Sequence, residues 1–239
     1  MAVPLIFLPG ALGAFEGSEA AIARLGRTRP ILPIGYTADD DYSELIARIL
    51  AAAEASGAAK VDLLGQSYGG WIAQCFVRLH PQRARRLVLS HSFTLQPRHR
   101  WQFILGRWAI RHLPRALARR LLLARVGRAL RPVREIDPDL HLRQLAAQAR
   151  SGALFDILAA QQSCMAQSLR TPAPPLVDGL PVLIVESDDD PLVPRAARAA
   201  LRRQWPDAMV RSFDRGGHIS ALTRTDDYVL AVERFLDAC

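Results

Sequence analysis

The chain has 239 residues, half of them hydrophobic, and a formal charge of +8, which suits one compact domain over 1–239 with a real buried core. No apolar stretch approaches the roughly 20 residues that span a bilayer, and the opening Met1-Ala2-Val3-Pro4 lacks the zones of a secretory leader. Three scattered cysteines, Cys75, Cys164 and Cys239, exclude a disulfide framework and a metal cluster, so the expectation is a soluble cytoplasmic protein.

In chain order, short apolar runs alternate with helix-period segments. Strands are predicted at Leu5–Leu8, Ile31–Ile34, Val61–Leu64, Leu87–Ser90, Val182–Glu186 and Met209–Phe213, each apolar on both sides as in a sheet buried between helix layers. Helices are predicted near 18–25, 42–56, 68–79, 195–204 and 227–237. In the second, Asp41 stands three residues before Glu44, a capping-box arrangement, and Gly57 marks the end. The third stops at His80-Pro81. This alternation predicts an α/β fold, with a mostly parallel doubly wound sheet of about six strands and sites at the carboxyl ends of the strands.

The rhythm breaks from 92 to 177, where only helical patterning is seen. Trp101, Ile104, Leu105, Trp108, Ala109, His112 and Leu113 recur at one-face spacing, with Arg100, Arg107, Arg111 and Arg115 off that stripe. An insertion of this kind between two strands of one sheet reads as a helical cap. It also holds the basic excess: Arg98 to Arg170 contains 14 arginines against four acids. No aromatic-rich sheet or zinc module accompanies that charge, which argues against nucleic acid. The plain reading is a solvated basic face, and contact with an anionic membrane surface is the lesser one.

The chemistry gathers at three strand ends. Gly65-Gln66-Ser67-Tyr68-Gly69 follows a strand and opens a helix, the G-x-S-x-G context of a nucleophile on a sharp turn. A serine needs a base, and among six histidines His218 stands out, in Gly216-Gly217-His218 after the last strand. The base needs an acid to orient it, and Asp188-Asp189-Asp190 follows the penultimate strand. The order Ser, Asp, His is that of one fold type alone among the common triad orders. Phe7-Leu8-Pro9-Gly10-Ala11-Leu12-Gly13 turns out of the first strand, so Ala11 and Tyr68 are expected to supply oxyanion-hole N–H groups. Leu12 and His91 are expected at the mouth. Trp101, Leu105 and Trp108 are expected to face the site as an apolar acyl pocket rimmed by arginines.

On these motifs the chain resembles the α/β-hydrolase fold superfamily of serine hydrolases with a helical cap, in a form without the first two strands. The elbow at Gly65–Gly69, Asp189-Asp190-Pro191-Leu192-Val193-Pro194 and Gly216-Gly217-His218 carry the likeness. The resemblance implies Asp190, just before Pro191, as the triad acid. It also implies hydrolysis of an ester or thioester of a small-molecule acyl substrate through an acyl-enzyme, with no metal or organic cofactor; the arginines at the rim of the cap add the expectation of an anionic handle on that substrate. More narrowly, Pro4-Leu5-Ile6-Phe7-Leu8-Pro9 and Ser90-His91-Ser92-Phe93 resemble the maspardin branch, which implies the alternative of a non-catalytic binding or scaffold protein. Carbon–carbon bond hydrolases and acyltransferases use the same triad.

Overall fold

A computed structural model describes residues 2–11, 18–94, 96–136, 138–139, 143, 153–170, 176 and 178–238. Its sheet has the order β2-β1-β3-β4-β5-β6, with every neighbouring pair parallel. The strands are β1 (Leu5–Leu8), β2 (Ile31–Pro33), β3 (Val61–Gln66), β4 (Ala84–Ser90), β5 (Val182–Ser187) and β6 (Met209–Phe213). The predicted parallel α/β sheet of six strands is therefore the observed one. Crossovers run through α1 (Glu19–Leu25), α2 (Tyr42–Ala55) and α3 (Tyr68–Leu79).

Alternation along the strands divides the core in two. Ile6 and Leu8, Leu63, Leu87 and Leu89, and Ile184 pack under α2 and α3 through Leu45, Ile49, Ile72 and Phe76. The intervening Leu5 and Phe7, Leu64, Val88, Leu183 and Val185 face Leu25 of α1, with Tyr228 and Val232 of the last helix. Burial on both faces explains why these strands read as continuous apolar runs. The exceptions are the two edge strands: β2 is only half-buried, with Pro33 exposed, and in β6 Met209 and Val210 are exposed. Strand β6 pairs only with β5, and cover reaches only its carboxyl end, where Phe213 is buried. The expectation of two-sided burial fails at both edges of the sheet.

Local signals set the helix ends. Asp41 is the N-cap of α2, but its carboxylate accepts from the Ser43 N–H, one residue earlier than a capping box requires. Gly57 follows α2 with φ of 69°, a conformation most side chains avoid.

Between β4 and β5 the described residues form the α-helices α4 (Arg100–His112), α5 (Arg115–Ala129), α6 (Arg131–Ile136) and α7 (Leu154–Ser168). Helix α4 packs along α7, and α7 joins the body. Met165 enters the core beneath, and the Trp71 indole donates to Ser168 Oγ at 3.1 Å. The chain then completes β5, α8 (Arg195–Gln204), β6, the short α9 (Ser220–Thr223) and α10 (Thr225–Asp237). No helix among the described residues is long and apolar enough to cross a membrane.

Candidate active site

Ser67 sits between β3 and α3 with φ of 51° and ψ of −113°, a left-handed backbone rare for residues other than glycine. The turn is tied down on both sides: the Ser67 N–H donates to Ser90 O at 2.8 Å, and Ser92 Oγ donates to Ser67 O at 3.0 Å. A Cβ on Gly65 would meet the backbone of Gly69 and Gly70, and one on Gly69 would fall on the Leu8 carbonyl. Gly70 is equally constrained, against the Ser92 side chain. The glycines let α3 start directly against β1 and β3. Gly69→Ala is expected to destabilise the fold by about 3 kcal/mol, at the upper end for overpacking. Chemical denaturation would measure it, and a change under about 0.5 kcal/mol, the size of an ordinary surface substitution, would contradict this packing.

Three strand ends bring the polar groups together. His218, between β6 and α9, places Nε2 3.1 Å from Ser67 Oγ. Its Nδ1 lies 2.9 Å from Asp190 Oδ2 and 3.1 Å from Oδ1. Asp190 Oδ1 also accepts from the N–H groups of Leu192 and Val193, at 2.8 and 3.0 Å. Asp189 has separate work: its Oδ1 accepts from the N–H groups of Gly216 and Gly217, at 3.0 and 2.8 Å, tying the acid loop to the histidine loop. Asp188 is exposed and meets the Arg198 guanidinium at 3.4 Å.

The sequence reading missed a second histidine on the same carboxylate. His91 Nδ1 lies 3.0 Å from Asp190 Oδ2, and its Nε2 lies 2.7 Å from Ser220 Oγ. Its side chain is fully buried, so it does not line the mouth as expected. The reason is local: His91 has φ of 48°, its N–H donates to Val185 O at 2.8 Å, and its ring is held between Asp190 and Ser220. The left-handed backbone leaves no mark in composition or period.

Electrostatics follows from this shared acid. Burial alone would raise the Asp190 pKa, but hydrogen bonds from His218 and His91 outweigh it and hold the carboxyl below the usual range. An ionised Asp190 only accepts, so both Nδ1 atoms carry protons. With neutral rings, each Nε2 is then an acceptor, taking a hydrogen bond from Ser67 on one side and from Ser220 on the other. Burial pushes the His91 pKa down, and neighbouring His218 adds to this against the pull of Asp190. His91, Asp190 and His218 have the donor types of a metal site, with ligand atoms within 4.8 Å. Their protons and lone pairs are instead fully accounted for by the bonds just described.

Above Ser67 lies a cavity of about 580 Å³, lined mainly by apolar side chains of the cap. This is within the ordinary range for small-molecule pockets. Ala11 and Tyr68 border it beside Ser67, and the Tyr68 N–H is in the first turn of α3, where a helix offers no internal acceptor. Leu12 lies outside the described residues.

The expected acyl stripe is turned the other way. Trp101, Leu105 and Trp108 are 65, 64 and 57% exposed, while Phe103, Gly106 and Ile110 of the same helix line the cavity. Helix α4 has two apolar faces, and periodicity alone cannot rank them. Packing decides it: α4 lies along α7 with Gly106 close to Gln162, and the face of Phe103, Gly106 and Ile110 lines the cavity, so the close face is the one without indoles. That glycine inside a helical pattern was the available signal.

Comparison with known proteins accords with this geometry. The sequence pattern described as alpha/beta hydrolase fold matches residues 8–225. The chain belongs to the α/β-hydrolase fold family. Within it, the chain is 24% identical over 242 aligned positions to a 2-hydroxymuconate semialdehyde hydrolase of Pseudomonas putida, covering 95% of this chain and 81% of that one. Among solved structures, the enol-lactonase of Burkholderia xenovorans LB400 superposes with a TM-score of 0.79 at 16% identity, over 100% of this chain and 92% of that one. Esterase RhEst1 of Rhodococcus sp. ECU1013 gives 0.77 at 20% identity, over 99 and 91%. At such identities these structures speak for the fold alone.

Proposed function

We propose that this α/β-hydrolase fold protein cleaves an ester or thioester of a small or medium-sized apolar acyl group. The observation that carries the reading is the unbroken hydrogen-bonded line from Ser67 Oγ through His218 to Asp190 beneath an apolar cavity. Ser67 Oγ attacks the acyl carbonyl as its proton passes to His218 Nε2. The N–H groups of Ala11 and Tyr68 receive the oxyanion. His218 then protonates the leaving group, and water repeats the cycle to release the acid. A series of p-nitrophenyl esters and matching thioesters of increasing acyl length tests this. The account expects kcat/KM to rise with chain length until the cavity is filled; activity indifferent to acyl length would oppose it.

In this reading His91 shares Asp190 Oδ2 with His218 and anchors that oxygen, so the acid cannot swing away when the imidazolium forms. His91→Gln is expected to lower kcat by up to about 10²-fold, the effect of small misplacement, with little change in KM. A stability effect accompanies it. Because the folded pKa of His91 is depressed, the unfolded chain takes up a proton there that the folded protein refuses. Stability therefore falls as pH drops below about 6.5, and His91→Gln should flatten that fall. Thermal unfolding of both proteins across acidic pH checks it; identical profiles would remove His91 from the account.

A second reading, cleavage of a carbon–carbon bond by the same groups, draws on the likeness to the 2-hydroxymuconate semialdehyde hydrolase. Arg125 on the cavity wall could meet an anionic handle in either case. The maspardin-like scaffold reading would leave the bond between Ser67 and His218 without a use.

A further inference from the structure

The outward face of α4 has no place in the hydrolytic reading. Trp101, Leu105 and Trp108 lie at i, i+4 and i+7, forming one row along the helix, and all three are more than half exposed. The Trp108 ring stacks on His112 with centroids 5.1 Å apart, which extends the row by a turn. By helical spacing Arg100, Arg107 and Arg111 share the adjoining flank. Arg100 lies over the Trp101 ring at 5.7 Å. On the next helix, Leu117 is also exposed.

The charge of this part of the cap is one-sided. From Gln96 to Ile136 the sequence contains 11 arginines and a single acid, Glu135. Among the described residues, the acid pair in this stretch is Arg115 with Asp156, at a loose 4.0 Å. We infer that the α4 ridge docks the cap onto an anionic lipid surface, with Trp101, Leu105 and Trp108 entering the headgroup boundary and the flanking arginines meeting lipid phosphates.

The competing occupants fit less well. A second copy docking through the same face would oppose two strongly positive surfaces. A nucleic acid would satisfy the arginines but give the indole row no apolar layer to enter. The bilayer interface offers both, anionic groups for arginine and a boundary layer suited to tryptophan. The inner face of the same helix lines the cavity, so docking would set the roof of the pocket against the lipid from which an apolar acyl compound partitions.

Sedimentation with vesicles tests this on the full chain, with no reference to turnover. Vesicles of phosphatidylglycerol and phosphatidylcholine in equal parts should retain the protein at low salt, with a blue shift of tryptophan emission. Pure phosphatidylcholine should retain far less, and 0.5 M NaCl should release most of the bound protein. The double variant Trp101→Ser, Trp108→Ser should weaken partitioning at least about tenfold. Arg100→Gln with Arg111→Gln should weaken it about fivefold per arginine. These positions are on the surface, and unchanged thermal unfolding would confirm the fold. No retention on anionic vesicles at low salt overturns the proposal, as does retention unaffected by the tryptophan pair. A dimer seen by light scattering that dissociates in Trp108→Ser would assign the ridge to a second copy instead.

Discussion

Ser67→Ala should lower ester turnover by about 10⁴- to 10⁶-fold, and His218→Ala by a similar factor, because a nucleophile and its base act as one unit. The alcohol of Ser67 is inert until His218 Nε2, 3.1 Å away, takes its proton. Removing either group therefore abolishes the same step, and the double variant should be no worse than the singles. Neither substitution should unfold the protein, since the turn is held by main-chain bonds to Ser90 and by Ser92 rather than by the Ser67 hydroxyl. Steady-state rates on a p-nitrophenyl ester, with thermal unfolding as the control, would measure both. His218→Ala with near-normal rates would show that another group is the base.

Asp190→Asn should cost about 10⁴-fold, the loss expected when the base is left in the wrong tautomer. The geometry makes this substitution harsher than its size suggests. Four N–H groups converge on the Asp190 carboxylate, from His91, His218, Leu192 and Val193. An amide has only one accepting oxygen, so its own NH₂ must face at least one of these donors. The two backbone donors cannot change, which leaves a ring to flip its proton to Nε2, and at His218 that removes the acceptor Ser67 needs. Asp188→Asn should change little, because that side chain lies exposed beside Arg198. Asp189→Ala should be intermediate, since it frees the Gly216 and Gly217 N–H groups that fix the histidine loop. Equal losses across the three would leave the orienting acid unassigned.

Most of the sheet was legible because its strands are buried on both faces and end in glycine, proline or acidic turns. The three groups of the site were legible for a related reason. Each follows a strand, and a parallel sheet brings the carboxyl ends of its strands to one edge. What escaped depended on contacts that no local pattern encodes. His91 turns inward through one left-handed residue, and Asp189 gains a role only because the β6 loop passes beside it. Period gave α4 an apolar stripe but not its direction, which is set by the packing of α4 along α7 over the cavity. The second apolar face then reads as a surface with its own partner.

The measurement that bears most directly on the central claim is covalent labelling by a fluorophosphonate, read by intact mass and peptide mapping. An activated Ser67 should take up one equivalent on its Oγ, with loss of the fluoride, and the rate should fall as acid protonates the partner base. In His218→Ala labelling should be slower by several orders of magnitude and should lose that dependence on pH. A single adduct on Ser67 that requires His218 is the result this account predicts. No adduct, an adduct elsewhere, or labelling of Ser67 indifferent to both pH and His218 would contradict it.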